Sequence, residues 1–416
     1  MSAQTETLSA RARLLALFDA DTFVETDRLM TAAGVVTGFG YVDGMPVYAY
    51  AQDRDVVNGA IGRDQAAKIA KVYDLAAQNG APLVAVFDSD GARLGEGVDA
   101  MDAIADILRR SNDLSGVVPQ IAVIAGACVG SAALIAAAAD VVVKAENADY
   151  YLTVGSAGEA ADITVCYDKK AIETARELLS YLPQNNLAAP ASFESVGGGA
   201  VAEDTAGAAT MVADDGSLLK ISDVAAFARV DGAVCGMVTL CADALDGECA
   251  AAARFVRLCD SFSLPVITFV DAAGFAGLAG AAKLTQAYAE VTSPKLSVIT
   301  GRAYGPVYIA LAGKHAGADA VLAWPGATVS PLAPETAVEL FWQERLQAMT
   351  DPQKDRPALA KEYAATECAS QTAAEKGWVT DVVTPAETRE NLIALLNMMA
   401  GKRVTHLPRK HANILL

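Results

Sequence analysis

Apolar positions along this chain follow two periods. Alternation marks 34–53, GVVTGFGYVDGMPVYAYAQD, as a hairpin turning at Asp43-Gly44. Over 63–79, Ala66, Ile69, Val72, Tyr73 and Ala76 share one helical face, and Gly80 stands where a left-handed C-terminal cap belongs. An amphipathic helix is expected over 9–30. Beyond Gly80, strands at 83–87, 120–125 and 140–143 alternate with helices at 98–110 and 130–139. This alternation predicts an α/β layered domain.

The plan then recurs. PQIAVIAGACVGSAALIAAAADVVV (119–143) is answered by PKLSVITGRAYGPVYIALAGKHAGADAVLAW from Pro294 onward, and APLVAVFDSDGAR (81–93) by LPVITFVDAAGFAG (264–277). Pro82 pairs with Pro265, Asp88 with Asp271, Gly91 with Gly274, and Gly126 and Gly130 with Gly301 and Gly305. ARVDGAVCGMVTL (228–240) answers the hairpin, 249–262 the first long helix and 265–270 the first buried strand. The chain is therefore an internal duplication. Between the copies, 187–217 loses periodicity and reads as a linker or surface loop, so the expected domains are 1–190 and 221–416 with a linker at 191–220. A final helix, rich in leucine and methionine, closes the chain. In each copy a glycine hands a strand over to a helix, where the first backbone N–H groups have no partner inside the helix and can converge on a bound oxygen.

Composition narrows the classes. A chain of 416 residues, 53% apolar, can bury two cores, and a formal charge of −18 without a basic stripe argues against a nucleic-acid partner. Seven scattered cysteines without a Cys-x-x-Cys, and only three histidines, predict free thiols and no metal site. The stretch 121–139 could span a bilayer by length, but its alanines, its two glycines and the charges of its partner copy favour a buried strand and helix. The N-terminus carries no signal-peptide pattern, so a cytoplasmic protein is expected.

At these residues the chain resembles the carboxyltransferase subunits of biotin-dependent acyl-CoA carboxylases and decarboxylases, of the propionyl-CoA carboxylase beta and methylmalonyl-CoA decarboxylase alpha type. The resemblance runs through GVVTGFGYVDGMPVYAYAQD, DSDGARLGEG, GVVPQIAVIAGACVGSAA, ELLSYLPQNN, AARFVRLCDSFSLPVITFVDAAGF, ITGRAYGPVYIAL and the tail RKHANILL. It implies two tandem crotonase-like ββα-superhelix domains and a homohexamer. It also implies transfer of a carboxyl group between an acyl-CoA and biotin on a separate carrier protein, with a biotin carboxylase or a membrane decarboxylase subunit as a further partner and, in the latter case, a location peripheral to that membrane complex. Thioester enolate and ureido anion each need an oxyanion hole, and the biotin anion can itself act as base. By the resemblance, Gly130 and Ser131 form the acyl-CoA hole, helped by Gly91, Ala92 and Arg93 of the preceding turn. Gly305 and Val307 form the biotin hole, lined by Gly274, Phe275 and Tyr304, with Ile309 on the acyl pocket. Arg54, Arg63 and Lys68 are candidates for the CoA phosphates.

Three positions depart from the family pattern. Pro306 replaces a glycine and removes one N–H, worth about 3 kcal/mol if that donor were essential. The loop after Ala273-Gly274-Phe275 is short, and Asp90 adds a negative charge to the first-half turn. These departures keep two alternatives open: a biotin-independent crotonase-like acyl-CoA hydrolase or decarboxylase, and a non-catalytic carboxyltransferase-like partner subunit.

Overall fold

A computed structural model describes the chain except residues 1–7, Val154, Ala157, His406, Arg409, Lys410 and 414–416. Part of the tail RKHANILL thus lies outside the described residues. The chain forms two compact units that divide between Ala191 and Ser192.

The first unit is built on β1 (Val24–Thr26), β2 (Val35–Val42), β3 (Met45–Gln52), β4 (Leu83–Ser89), β5 (Gln120–Val129), β6 (Val141–Ala145), β7 (Asp149–Tyr151) and β8 (Ile163–Val165). They lie in the order β1-β2-β3-β4-β5-β6-β8, with β7 beside the end of β5. β3 to β6 run parallel, and the hairpin β2–β3 turns at Asp43 and Gly44, both at positive φ (49° and 81°), as a tight hairpin turn requires. Its helices are α1 (Ala10–Leu17), α2 (Arg63–Asn79), α3 (Val98–Leu114), α4 (Ser131–Ala137) and α5 (Asp168–Leu179). Gly80 caps α2 in the left-handed region, its N–H donating to Ala76 O. Ala100, Ile104, Ile107, Ser111 and Leu114 form the buried face of α3.

The second unit repeats the plan with β9 (Leu219–Lys220), β10 (Ala225–Val230), β11 (Ala233–Ala244), β12 (Val266–Phe275), β13 (Lys295–Tyr304), β14 (Ala320–Ala323), β15 (Thr328–Ser330) and β16 (Asp381–Val382). Their order is β16-β14-β13-β12-β11-β10-β9, with β15 beside β13. Here Asp231 and Gly232, at φ 53° and 75°, repeat the Asp-Gly turn. Its helices include α6 (Thr205–Val212), α7 (Asp246–Ser261) and α8 (Leu278–Glu290), and the helix Pro385–Met399 packs Leu392 into a core with Phe269, Val298 and Trp324. Tyr50, Phe87 and Ile124 occupy the corresponding core of the first unit. Each such side chain, fully buried, contributes about 2 kcal/mol from apolar burial.

Two expectations are corrected. The helix expected over 9–30 ends at Leu17: Asp21 takes positive φ, and the Asp19 carboxylate instead accepts the N–H groups of Asp43 and Gly44 and pairs with Arg176. Val24–Thr26 then joins the sheet edge beside β2. Nor is 191–220 only a linker or surface loop. Phe193 bonds Gly232, Gly198 bridges to Asp214, and α6 buries Ala208 and Val212 behind an Asp204 cap. Alanine and glycine hid this helix, because they dominate the stretch around it and leave Met211 and Val212 as the large apolar side chains on its buried face.

Candidate active site

The duplicated glycine turns share one backbone construction. In the first unit β4 and β5 pair regularly to Phe87↔Ile124, then jump to Ser89↔Cys128; in the second, Val270↔Ile299 is followed by Ala272↔Ala303. The strand that leads to each turn therefore bulges at the same place. An aspartate holds each bulge. Asp88 Oδ1 accepts Ala127 N–H at 3.1 Å, and Asp271 Oδ1 accepts Arg302 N–H at 2.8 Å. Gly126 and Gly301 have to be glycine, since a Cβ would lie 2.3 Å and 2.5 Å from those carboxylates.

Beyond the bulge the chain enters the turn. Gly130, at φ 58° and ψ −125°, donates its N–H to Tyr151 O at 3.0 Å, and Gly305 donates to Ser330 O at 2.9 Å. Neither glycine N–H is open to a ligand. Ser131 is the first residue of α4, so its N–H is the first in the turn without a carbonyl partner inside the helix. In the second unit Pro306 opens the helical turn and has no N–H, which moves the first such donor to Val307, a wholly buried residue.

Gly91 stands against the first turn. Its φ is 92°, and a Cβ would sit 2.8 Å from Val129 O and 3.7 Å from both Ser131 N and Oγ. Ile61 bonds Gly91 O and Arg93 N, so Ala92, between them, directs its N–H to the opposite side. Gly91, Ala92, Gly130 and Ser131 meet in an open cleft of about 630 Å3, walled by Arg93, Leu94 and Met101. Five predicted residues, Arg93 among them, are thus brought together. Two donor positions, at Ser131 and Ala92, can converge there on a carbonyl oxygen.

The second unit departs where its loop is short. Gly274 lies in β12 paired with Asp243, and Phe275 with Ala244; Ala276 donates to Ala244 O as Arg93 does to Ile61 O. Phe275 therefore takes the position of Ala92, on a continuous strand rather than a turn. Tyr304 is buried and its hydroxyl pairs with Thr328 Oγ1 at 3.0 Å; burial raises its phenol above the ordinary value. Ile309 lies on a π-helical turn, Tyr308–Ala312, with its side chain 59% exposed.

The expected phosphate cations are reassigned in part. Lys68 is buried and donates to Val35 O at 2.8 Å. Arg54 bridges Asp88 (3.4 Å) and Asp90 (3.1 Å), which also balances the charge that Asp90 adds. Arg63 is exposed and pairs with Asp99 at 3.1 Å. Sequence reasoning gave no role to Asp88, Asp271, Tyr151 O or Ser330 O. The first two were visible as partners in the repeat, whereas the carbonyls belong to the short strands β7 and β15, which have no sequence signal.

The family model described as "Carboxyl transferase domain" matches residues 4–161 and 222–414. The chain is 34% identical to the propionyl-CoA carboxylase carboxyltransferase subunit of Haloferax mediterranei, covering 98% of this chain and 93% of the relative. It is 33% identical to the methylmalonyl-CoA decarboxylase subunit alpha of Propionigenium modestum, with the same coverage. Among solved structures, a transcarboxylase 12S hexamer with methylmalonyl-coenzyme A and methylmalonic acid bound superposes with a TM-score of 0.90 at 31% identity, over 99% of this chain and 92% of that one. This chain belongs to the carboxyl transferase domain family. The crotonase-like α/β architecture that the resemblance implies is the one it adopts.

Proposed function

We propose that the protein is the carboxyltransferase subunit that moves a carboxyl group between an acyl-CoA and biotin on a separate carrier protein. The observation that carries this reading is the cleft of the first unit, where Ser131 and Ala92 offer backbone donors beside Gly91 and Gly130. A thioester oxygen held there would gain charge as the α-carbon becomes an enolate, and fixed backbone dipoles stabilise that charge without reorganising. Removal of one such donor costs about 3 kcal/mol. Biotin supplies the carboxyl carrier and, once decarboxylated, the base. Val307 N–H is the corresponding group in the second unit for the ureido oxygen, with Phe275 at the strand position that Ala92 takes in the first. Arg93 lies on the cleft wall beside the acyl-CoA.

The two relatives differ in direction, one a carboxylase and the other a decarboxylase, and this subunit serves either in a homohexamer docked to a biotin carboxylase or to a membrane decarboxylase. Among the described residues no helix is long and apolar enough to cross a membrane. We place the chain in the cytoplasm, peripheral to any such complex.

Pro306 and Phe275 favour one second reading, an acyl-CoA hydrolase or decarboxylase that uses the first-unit cleft without biotin. One experiment separates the two. The purified chain is given malonyl-, methylmalonyl- and glutaconyl-CoA with and without free biotin, and decarboxylation is followed. Biotin-dependent loss of one substrate is expected and names the acyl group. Loss independent of biotin would select the second reading, and silence with a carrier protein present would leave only a non-catalytic partner subunit.

A further inference from the structure

Asp88 and Asp271 are aspartates that no part of the proposed chemistry uses, yet they occupy the same position in the two halves. Each directly follows the last regular pair of its strand (Phe87 or Val270), each accepts the N–H of the residue after a glycine, and each glycine leaves the space that its carboxylate fills. Each also has a guanidinium partner, supplied differently in the two units. Asp88 is met by Arg13, 1% exposed, at 2.9 Å, and by Arg54; Arg13 reaches on to Asp168 at the start of α5. Asp271 is met by the side chain of Arg302, whose Nε lies 2.7 Å from the same Oδ1 that takes the Arg302 N–H.

We propose that Asp88 and Asp271 are paired positioning residues, carboxylate clamps that set the bulged ends of β5 and β13 and so aim the two glycine turns at their substrates. The inference rests on the oxyanion reading of those turns. Between the clamped N–H and the turn lie only Cys128 and Val129 in the first unit and Ala303 and Tyr304 in the second. The far side of each turn is held by Tyr151 O or Ser330 O. The turn is thus fixed at two points, and release of one lets the N–H groups of Ser131 or Val307 shift. A misplacement of about 1 Å at a reacting centre costs on the order of a hundredfold in rate.

A turn-specific clamp has a kinetic signature that a general structural role lacks. With methylmalonyl-CoA and free biotin as probes, Asp88→Asn is expected to lower kcat/KM for the acyl-CoA about a hundredfold, while kcat/KM for biotin stays within threefold. Asp271→Asn is expected to do the reverse. Binding of CoA itself, which has no thioester oxygen, should not change in either variant. Asp271→Ala, which removes the acceptor altogether, should lose more than Asp271→Asn. Asp271 is half-buried, so this pair tests the clamp even where Asp88→Asn leaves buried Arg13 with Asp168 as its one carboxylate and the chain unfolded. Gly130→Val separates the two ideas, because a β-branched residue at that φ distorts the turn directly. Loss of turnover in Gly130→Val with wild-type kinetics in folded Asp88→Asn or Asp271→Asn would overturn the clamp alone. Wild-type turnover in Gly130→Val, or an inactive wild-type chain, would overturn the oxyanion reading and the clamp with it. Equal losses in both specificity constants for each variant would also overturn the clamp.

Discussion

A charged residue in this protein acts according to what surrounds it rather than by its type. Lys68 and Arg54 both suit a phosphate by charge, yet one is spent on a buried carbonyl and the other on two carboxylates. Lys295 makes the same point quantitatively. It is 4% exposed, donates to Tyr288 O, and is pulled down to about 8 by burial first and then by repulsion from Lys402, against the attraction of Asp319 and Asp260. Below pH 8 the folded chain holds a buried ammonium at a cost. Between pH 8 and the ordinary lysine value of 10.5 the unfolded chain keeps the proton that the folded chain has released, so stability rises with pH in that window. The stability of the wild type relative to Lys295→Met should rise by about 1 kcal/mol per pH unit across it and stay level below. Urea denaturation at pH 7, 8, 9 and 10 checks this; a flat difference would mean that Lys295 keeps an ordinary affinity for its proton.

At the scale of elements, repetition made the larger pieces visible. The hairpins were legible because Asp43-Gly44 and Asp231-Gly232 sit between alternating runs, and the turn they encode is local. Helix α2 was legible to the residue, from Arg63 to Asn79, because its apolar face and its Gly80 cap are both written in sequence. The bulges in β5 and β13 were not, since they arise from a carboxylate on the neighbouring strand. Helix α6 was missed for a different reason: its buried face is Ala208, Ala209, Met211 and Val212 within a stretch of alanine and glycine. If that segment is a packed helix, its cap matters. Asp204 accepts Gly207 N–H at 2.8 Å, and Asp204→Ala should cost about 1 kcal/mol of stability in thermal or denaturant unfolding. No change would return the segment to a loose loop.

On the scale of the whole molecule, several large apolar side chains stand exposed on the isolated chain. Leu94 and Val98 are each 82% exposed beside the first-unit cleft, and Ile309 is 59% exposed next to the second-unit turn. Exposed apolar groups beside two proposed binding turns are what an assembly would cover. The hexamer of the transcarboxylase 12S structure supplies the expectation for this chain. Light scattering should give the mass of six 42.9-kDa chains, and amide exchange should show the backbone around Leu94, Val98 and Ile309 protected in the assembly. A monomer with full activity would contradict both.

Hydrophobic period, Asp-Gly turns and the duplicated glycines determined the α/β class, the two-fold repeat and the location of both turns. Each of these depends on residues close together in the chain. Tertiary structure alone decided which N–H groups are open. Gly130 and Gly305 surrender theirs to carbonyls of β7 and β15, which leaves Ser131 as the first candidate donor of its turn, whereas Val307, the first after Pro306, is a wholly buried residue. It also decided that Asp88 and Asp271 lie against the bulges and that Lys68 is buried. A hydrogen bond is settled by distance and direction between segments far apart in sequence, and no local pattern of residues carries that information.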